Sequence, residues 1–189
     1  MRSDIRSDIR RGFRLALVLA IFPFISDVQS ASAQGVVITP RPPLGRAVRI
    51  RSKLALNKVL GISQARMDNG APTHLWDYLA VPDEEWVINV DGYSYRIQAV
   101  HSQKCLDLAG GTSADGGQVQ QWDCVGNNYQ KWSIEPQNDG WVIRSSVSNK
   151  CLEVAGSGTA NGTVVYQMTC SGANNQRWQL DDVVPAPVG

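Results

Sequence analysis

The chain has 189 residues, with 18 Lys or Arg, 17 Asp or Glu and two His, and its formal net charge at pH 7 is +1. Such a balance provides neither a basic surface for nucleic acid nor an acidic tail. Two histidines make a His-rich metal centre unexpected, and the composition also argues against a membrane bundle. We therefore predict no nucleic-acid partner, no metal and no cofactor.

The first 33 residues have the pattern of a secretory signal peptide. An Arg-containing start precedes the 11-residue apolar run Leu15–Ile25, and Ala31-Ser32-Ala33 provides a cleavage site before Gln34. An 11-residue helix is about 16 Å long, too short for a hydrocarbon core of roughly 30 Å. We predict cleavage after Ala33 and a secreted, extracellular or periplasmic chain without a membrane span. Arg10-Arg11 leaves open whether export uses the general or the twin-arginine route.

A threefold repeat of 46 residues organises the rest of the chain. Three segments align without a gap, and they are Lys58–Trp86, Lys104–Trp132 and Lys150–Trp178. The second and third copies also share a Cys spacing of 19, whereas the first copy is more divergent. Three copies in one register are the signature of a repeat architecture.

The pattern within each copy predicts β-structure. Short apolar runs such as Val119–Cys124 and Val164–Cys170 are separated by clusters of Gly, Asn and Asp, and helical periodicity never exceeds a turn or two. Asp115-Gly116 and Asn161-Gly162 predict tight turns that need positive φ. One copy cannot bury its own apolar face, so we expect the three copies to close a small barrel.

The motifs Cys-Leu-Asp, Gln-x-Trp-Asp-Cys and Gln-x-Trp resemble those of the ricin B-chain type of lectin; they are specific in the second and third copies and weak in the first. The resemblance covers about 47–182 and implies an all-β fold, a β-trefoil with a six-stranded barrel and a hairpin cap. The predicted organisation is a Pro-containing segment at 34–46, repeats at about 47–92, 93–138 and 139–182, and a tail at 183–189.

The resemblance assigns the closing tryptophan of each copy to the core, near the threefold axis. These residues are Trp86, Trp132 and Trp178. Because the equal Cys spacing falls at equivalent repeat positions, we predict two local disulfides, Cys105–Cys124 and Cys151–Cys170. The first copy has Val59 and Tyr78 at these positions and must rely on packing.

The resemblance also places a sugar site in the second copy. A carboxylate at a loop edge accepts hydrogen bonds from sugar hydroxyls, and a flat aromatic ring covers the apolar C–H face of the sugar. The residues assigned to this site are Asp107, Gln120, Trp122, Asn128 and Gln130. Tyr129 stands where the family usually has Asn, which changes one polar contact.

The corresponding sites in the other copies are weaker candidates. In the third copy Glu153 replaces the Asp and Met168 replaces the stacking Trp, while Tyr166, Asn175 and Gln176 could contribute to a site. We therefore expect the second copy to contribute most of the sugar binding and the third copy some.

We expect no sugar binding in the first copy, because Gly61 stands in place of the carboxylate and Glu84 in place of the orienting Gln. His74 and Trp76 remain there without an acceptor.

The leading functional hypothesis is a secreted, non-enzymatic protein that binds carbohydrate, as glycans or polysaccharide, with galactose-type sugars favoured. The alternative is a protein-binding trefoil, such as a toxin's cell-binding subunit or a hydrolase inhibitor, with vestigial sugar sites. A catalytic role is disfavoured because only about a dozen residues, Gln34–Arg46, precede the repeats in the predicted mature chain and no Ser/His/Asp set is visible. The adjacent Glu84 and Glu85 are interpreted as a solvated edge, and no catalytic residue is assigned.

Overall fold

The computed structural model describes residues 40–183, which contain twelve β-strands and six single-turn 3₁₀ segments. The strands are β1 (Ala47–Ser52), β2 (Lys58–Ile62), β3 (Thr73–Asp77), β4 (Trp86–Asp91), β5 (Ser94–Ala99), β6 (Cys105–Leu108), β7 (Gly117–Trp122), β8 (Trp132–Gln137), β9 (Gly140–Ser145), β10 (Cys151–Val154), β11 (Thr163–Met168) and β12 (Trp178–Asp182). The 3₁₀ turns are Ser63–Ala65, Pro82–Glu84, Ala109–Gly111, Asn128–Gln130, Ala155–Ser157 and Asn174–Gln176.

The predicted signal peptide, its cleavage point and residues 34–39 lie outside the described residues, as does the tail after Val183. Within residues 40–183, no helix has the length and apolar character needed to span a bilayer.

Six strands close an antiparallel barrel in the order β1, β4, β5, β8, β9, β12 and back to β1. The other six form the hairpins β2–β3, β6–β7 and β10–β11, and β11 joins them by pairing with both β3 and β7. This arrangement confirms the predicted β-trefoil, with one barrel pair and one cap hairpin from each repeat.

The closing tryptophans form the centre of the core, as predicted. Trp86, Trp132 and Trp178 are fully buried. Each indole N–H donates to a backbone carbonyl 26 residues earlier in its own repeat, at 2.9, 3.0 and 3.1 Å. Burial of so large a ring with its polar atom satisfied makes each tryptophan a principal packing element of its repeat.

Both predicted disulfides are present, and each links the first residue of a cap hairpin to the segment after its second strand. The first repeat uses packing at the same place. Val59 is fully buried, and the guanidinium of Arg49 lies 4.8 Å from the centre of the Tyr78 ring. A cation–π contact and apolar burial therefore replace a covalent link.

The turns before β3, β7 and β11 connect the repeats to one another in a ring. Asn69 accepts a hydrogen bond from Asp123 N at 3.0 Å, Asp115 from Thr169 N at 2.7 Å, and Asn161 from Asp77 N at 2.9 Å. Each turn thereby satisfies a backbone group at the end of a strand in a different repeat, which fixes the relative positions of the cap hairpins.

Candidate functional site

Asp107 on β6 is the buried carboxylate of the second repeat, with 3% of its surface exposed. Gln120, directly opposite on β7, donates from Nε2 to Oδ1 at 3.0 Å, and Gln130 donates from Nε2 to Oδ2 at 3.2 Å. Burial raises the pKa of Asp107, and the two amide hydrogen bonds oppose this by favouring the ionised form. The side chain is therefore a carboxylate of fixed orientation with lone pairs left for a ligand.

Gln130 is itself held in place, which explains how it orients the carboxylate. Its Oε1 accepts from Val125 N at 3.0 Å, and its Nε2 donates to Asp123 O at 2.8 Å as well as to Asp107. The side chain is 1% exposed. Gln130 therefore acts as the predicted positioning residue, because its amide has only one orientation that satisfies all three partners.

A cavity of about 240 Å³ opens beside Asp107. Its lining consists of Asp107, Gly110, Gln120, Trp122, Asn127 and Tyr129. Trp122 is 40% exposed and forms one wall, unlike the buried core tryptophans. A Cβ at Gly70 would lie 3.8 Å from Trp122 Cζ3, so the backbone of a turn from the first repeat supports the edge of the indole ring.

Tyr129 adds an aromatic ring that the sequence analysis did not assign. The ring lies against Gly111, where a Cβ would overlap the ring carbons. Gly111 also has a φ of +60°, a region that glycine enters at low cost. The third repeat has Ser157 and Asn175 at these two positions, so the Gly–Tyr pairing of the second repeat is the local signal for the extra ring.

Four of the five residues predicted for the second repeat converge on one place: Asp107, Gln120, Trp122 and Gln130. Asn128 is not among the residues lining the cavity; the neighbouring Asn127 is, and its side chain also accepts from Tyr129 N at 3.0 Å. The difference arises because Asn127 precedes the 3₁₀ turn as its cap and faces the cavity.

The third repeat places its predicted residues in the same register. Glu153 lies opposite Tyr166, is 8% exposed, and accepts from Gln176 Nε2 at 2.5 Å. Asn175, by contrast, is buried and donates to Val154 O at 3.3 Å, so its amide is already engaged with backbone. Met168 occupies the position of the stacking tryptophan.

In the first repeat, the structure differs from the sequence prediction for Glu84. A cavity of about 460 Å³ lies at the equivalent place, and its lining includes His74, Trp76, Asp83 and Glu84. Glu84 is 2% exposed and accepts from Leu79 N at 2.6 Å through Oε2. The interpretation of Glu84 as part of a solvated edge is therefore wrong. The 3₁₀ turn places its side chain inward, as it does with Gln130 in the second repeat.

The family model for ricin-type β-trefoil lectin domain-like proteins matches residues 82–168 and 138–186. The chain belongs to this family. The designed 3-fold symmetric protein ThreeFoil is 27% identical, with a TM-score of 0.70, and the match covers 72% of this chain and 99% of that one. No curated protein sequence matches the chain.

Two natural structures match the chain over different shares of their own length. The exo-β-1,3-galactanase 1,3Gal43A from Clostridium thermocellum is 27% identical with a TM-score of 0.71, and the match covers 76% of this chain but 31% of the galactanase. The ricin B-like lectin of Macrolepiota procera, solved with lactose, is 20% identical with a TM-score of 0.67, and the match covers 76% of this chain and all of the lectin. The latter shares the fold.

The groups in the second-repeat site are suited to binding a ligand. It combines one oriented carboxylate acceptor with aromatic rings, and Tyr129 is the one further titratable group in its lining. Across residues 40–183, no group of three or more His, Cys, Asp or Glu side chains is arranged to hold a metal ion.

Proposed function

We propose that the chain is a carbohydrate-binding, lectin-like protein that recognises galactose-type sugars mainly through the second repeat. The observation that supports this most directly is the buried carboxylate of Asp107, fixed by Gln120 and Gln130 beside the exposed ring of Trp122. An ionised acceptor forms strong hydrogen bonds with two neighbouring sugar hydroxyls. The indole ring then covers the C–H face of the same sugar.

Three considerations favour galactose-type sugars. The resemblance of the motifs to those of the ricin B-chain lectins implies this class, and the 27% identical neighbour from C. thermocellum is an exo-β-1,3-galactanase. A galactose-type ring also has a continuous C–H face that suits a flat aromatic wall. We place the third repeat second in affinity, since it has the carboxylate of Glu153 but Met168 in place of the aromatic wall.

We propose binding without catalysis. Hydrolysis of a glycosidic bond ordinarily requires two carboxyl groups that flank it. The cavity of the second repeat is lined by one, Asp107. A weak, open site of this kind is expected to bind a monosaccharide with a Kd of about 1 mM, near −4 kcal/mol. Clustered glycans that engage the second and third repeats together should bind more tightly.

We also propose that the protein is exported and cleaved near Ala33-Gln34. The two disulfides, which persist in oxidising compartments, support this proposal. N-terminal sequencing of the protein from the culture medium or periplasm tests it. A mature protein that begins at Gln34 is the expected result, and a protein retained in the cytoplasm with residue 1 intact would contradict it.

The sugar proposal is tested by NMR titration of ¹⁵N-labelled protein with galactose, lactose and glucose, observing the six tryptophan indole N–H signals. We expect the Trp122 signal to move on addition of galactose or lactose and the core tryptophan signals to stay in place. Trp122→Phe assigns the signal while keeping an aromatic ring. If no sugar in a broad glycan panel moves Trp122, the protein-binding alternative replaces this proposal.

A further inference from the structure

The cavity of the first repeat is built from a different set of groups than that of the second repeat. His74 and Trp76 on β3 are stacked, with ring centroids 5.1 Å apart and planes inclined by 21°. A Cβ at Gly61 would lie 3.5 Å from His74 Nε2, so the imidazole lies over the position from which the carboxylate projects in the second repeat. The two rings form a continuous aromatic wall.

The acceptor is supplied from the opposite side of this cavity. Glu84 Oε2 takes the hydrogen bond from Leu79 N in the way that Gln130 Oε1 takes one from Val125 N. The remaining oxygen of Glu84 therefore occupies the place of the Gln130 amide, which in the second repeat donates towards the strand carboxylate. The first repeat therefore has an anionic acceptor, Glu84, where the second repeat has the amide donor of Gln130. Gly61 replaces the strand carboxylate, so no second negative charge repels Glu84 from that side.

The electrostatics of this cavity favour a cation. Asp83 and Glu84 both contribute to its lining, which includes no Lys or Arg. Neither carboxylate forms a salt bridge with any residue in 40–183. Burial lowers the pKa of His74 although Asp83 raises it, so the ring is mainly neutral at pH 7 and adds little positive charge. Glu84 is buried and accepts a backbone hydrogen bond but faces no positively charged side chain in this part of the chain, and a bound cation would supply the missing opposite charge.

We infer that the first repeat binds a protonated amino sugar, of which glucosamine is the simplest, with its ammonium group at Glu84 and Asp83 and its C–H face on Trp76 and His74. An ammonium near an aromatic face also gains cation–π attraction. A volume of about 460 Å³ lies within the usual range for small-ligand sites. The inference rests on the proposed function in taking the ligand to be a sugar, but it concerns a separate site and a charged ligand class.

Burial raises the pKa of Glu84, and the negative charge of Asp83 raises it further. Backbone hydrogen bonds from Leu79, Val81 and Ala80 oppose this shift. A bound ammonium lowers the pKa again, so the ligand is held by the ionised carboxylate. An N-acetylated sugar has the same ring and a similar shape but no positive charge. It cannot form this interaction, which makes N-acetylglucosamine the matched control ligand.

The test is an NMR titration that observes the Trp76 indole N–H, assigned with Trp76→Phe. Glucosamine hydrochloride, N-acetylglucosamine and glucose are added at neutral pH, with the chloride concentration matched because salt screens charges. We expect glucosamine to move the Trp76 signal with a dissociation constant in the millimolar range, and the two neutral sugars to bind at least tenfold more weakly. Equal responses to glucosamine and N-acetylglucosamine would overturn the inference, as would no response to either.

Glu84→Gln is the matched variant, because Gln is the residue at this position in the second and third repeats, where the turn folds with the same backbone hydrogen bond. We expect this variant to keep the parent melting temperature and to weaken glucosamine binding at least tenfold. Unchanged glucosamine binding by a folded Glu84→Gln protein would contradict the assignment of the ammonium to Glu84.

The outcomes separate this inference from the proposed function. If the Trp122 signal moves with galactose and the Trp76 signal does not respond to glucosamine, only the amino-sugar site is rejected. If the Trp76 signal moves with glucosamine and the Trp122 signal responds to no neutral sugar, the proposed function of the second repeat is rejected and the amino-sugar site is supported.

Discussion

Replacing Asp107 with Asn separates what this carboxylate contributes to binding from what it contributes to folding. The substitution keeps the shape of the side chain and removes its charge. A hydrogen bond to a charged acceptor is worth about 1.5–3 kcal/mol, against about 0.5–1.5 kcal/mol for a neutral one. The expected loss of sugar affinity is therefore about 1–2 kcal/mol, or roughly 5- to 30-fold. From a starting Kd of about 1 mM, such a loss leaves the site empty at practical sugar concentrations.

The same change should not destabilise the fold at neutral pH. Burial raises the pKa of Asp107 above its unfolded value, so its ionised form opposes folding above that pKa, and the opposition disappears as the pH falls through it. The amide introduced by Asp107→Asn has no charge to desolvate, and a rotated Gln120 amide can accept from it. We therefore expect a melting temperature equal to or above that of the parent protein.

The assay pairs the Trp122 indole titration with a thermal melt of each variant, and Glu153→Gln is the control at the equivalent position of the third repeat. We expect Asp107→Asn to lose most of the galactose response and Glu153→Gln to lose little of it. An Asp107→Asn protein that binds galactose like the parent would refute the assignment of the acceptor. Loss of binding confined to Glu153→Gln would reverse the order of the two sites.

Four further outcomes are expected. Trp132→Ala should lower the free energy of unfolding by about 3–5 kcal/mol through cavity formation, which a denaturant titration measures; a loss below about 1 kcal/mol would contradict its central packing. Gly111→Ser should lower the stability of the protein and weaken galactose binding, because the new side chain displaces Tyr129. Adding Tyr129→Asn should restore part of the stability, because the pair then matches the third repeat. If melting experiments show that the stability effects of the two substitutions simply add, this contact is contradicted. Galactose affinity should fall on acidification at a pH above the ordinary range for Asp, since Asp107 is the stronger, charged acceptor only when ionised and its pKa is raised. A flat calorimetric pH profile down to pH 4 would oppose this. Reduction of Cys105–Cys124 should lower the free energy of unfolding by roughly 3 kcal/mol, because the unfolded chain gains conformational entropy when a loop of this length is opened. An unchanged melting temperature after complete reduction would contradict this.

Most of the fold can be predicted because repetition supplies information that a single copy does not. The register of Lys58, Lys104 and Lys150 with the closing tryptophans locates equivalent strands even where the first repeat has diverged. The two disulfides follow from the same register, since equal Cys spacings at equivalent positions leave one simple pairing. The contacts between cap hairpins through Asn69, Asp115 and Asn161 are not predictable in this way, because they join residues 54 or more positions apart.

The site can be predicted where this chain keeps the family's residues and not where it replaces them. Asp107, Trp122 and Gln130 are located by motif alone. In the sequence, Tyr129 is noticeable only because it replaces the family's Asn. Its ring can be assigned to the cavity only from the structure, which shows that Gly111 leaves space for it. The prediction for Glu84 fails for a related reason: adjacent carboxylates in a polar segment indicate exposure, whereas the turn backbone directs this one inward.

The tryptophan walls of the first and second repeats each lie next to a turn from another repeat. Trp122 of the second repeat lies against Gly70 of the first, and Trp76 of the first lies against Gly162 of the third. A gene encoding a single 46-residue unit would therefore encode the residues that line a site but not the neighbouring turn that supports its tryptophan. Three such peptides associated around an axis would regain every wall at once. A duplication that stops at two units would support one tryptophan wall but could not close the six-stranded barrel, which needs the strands of a third unit.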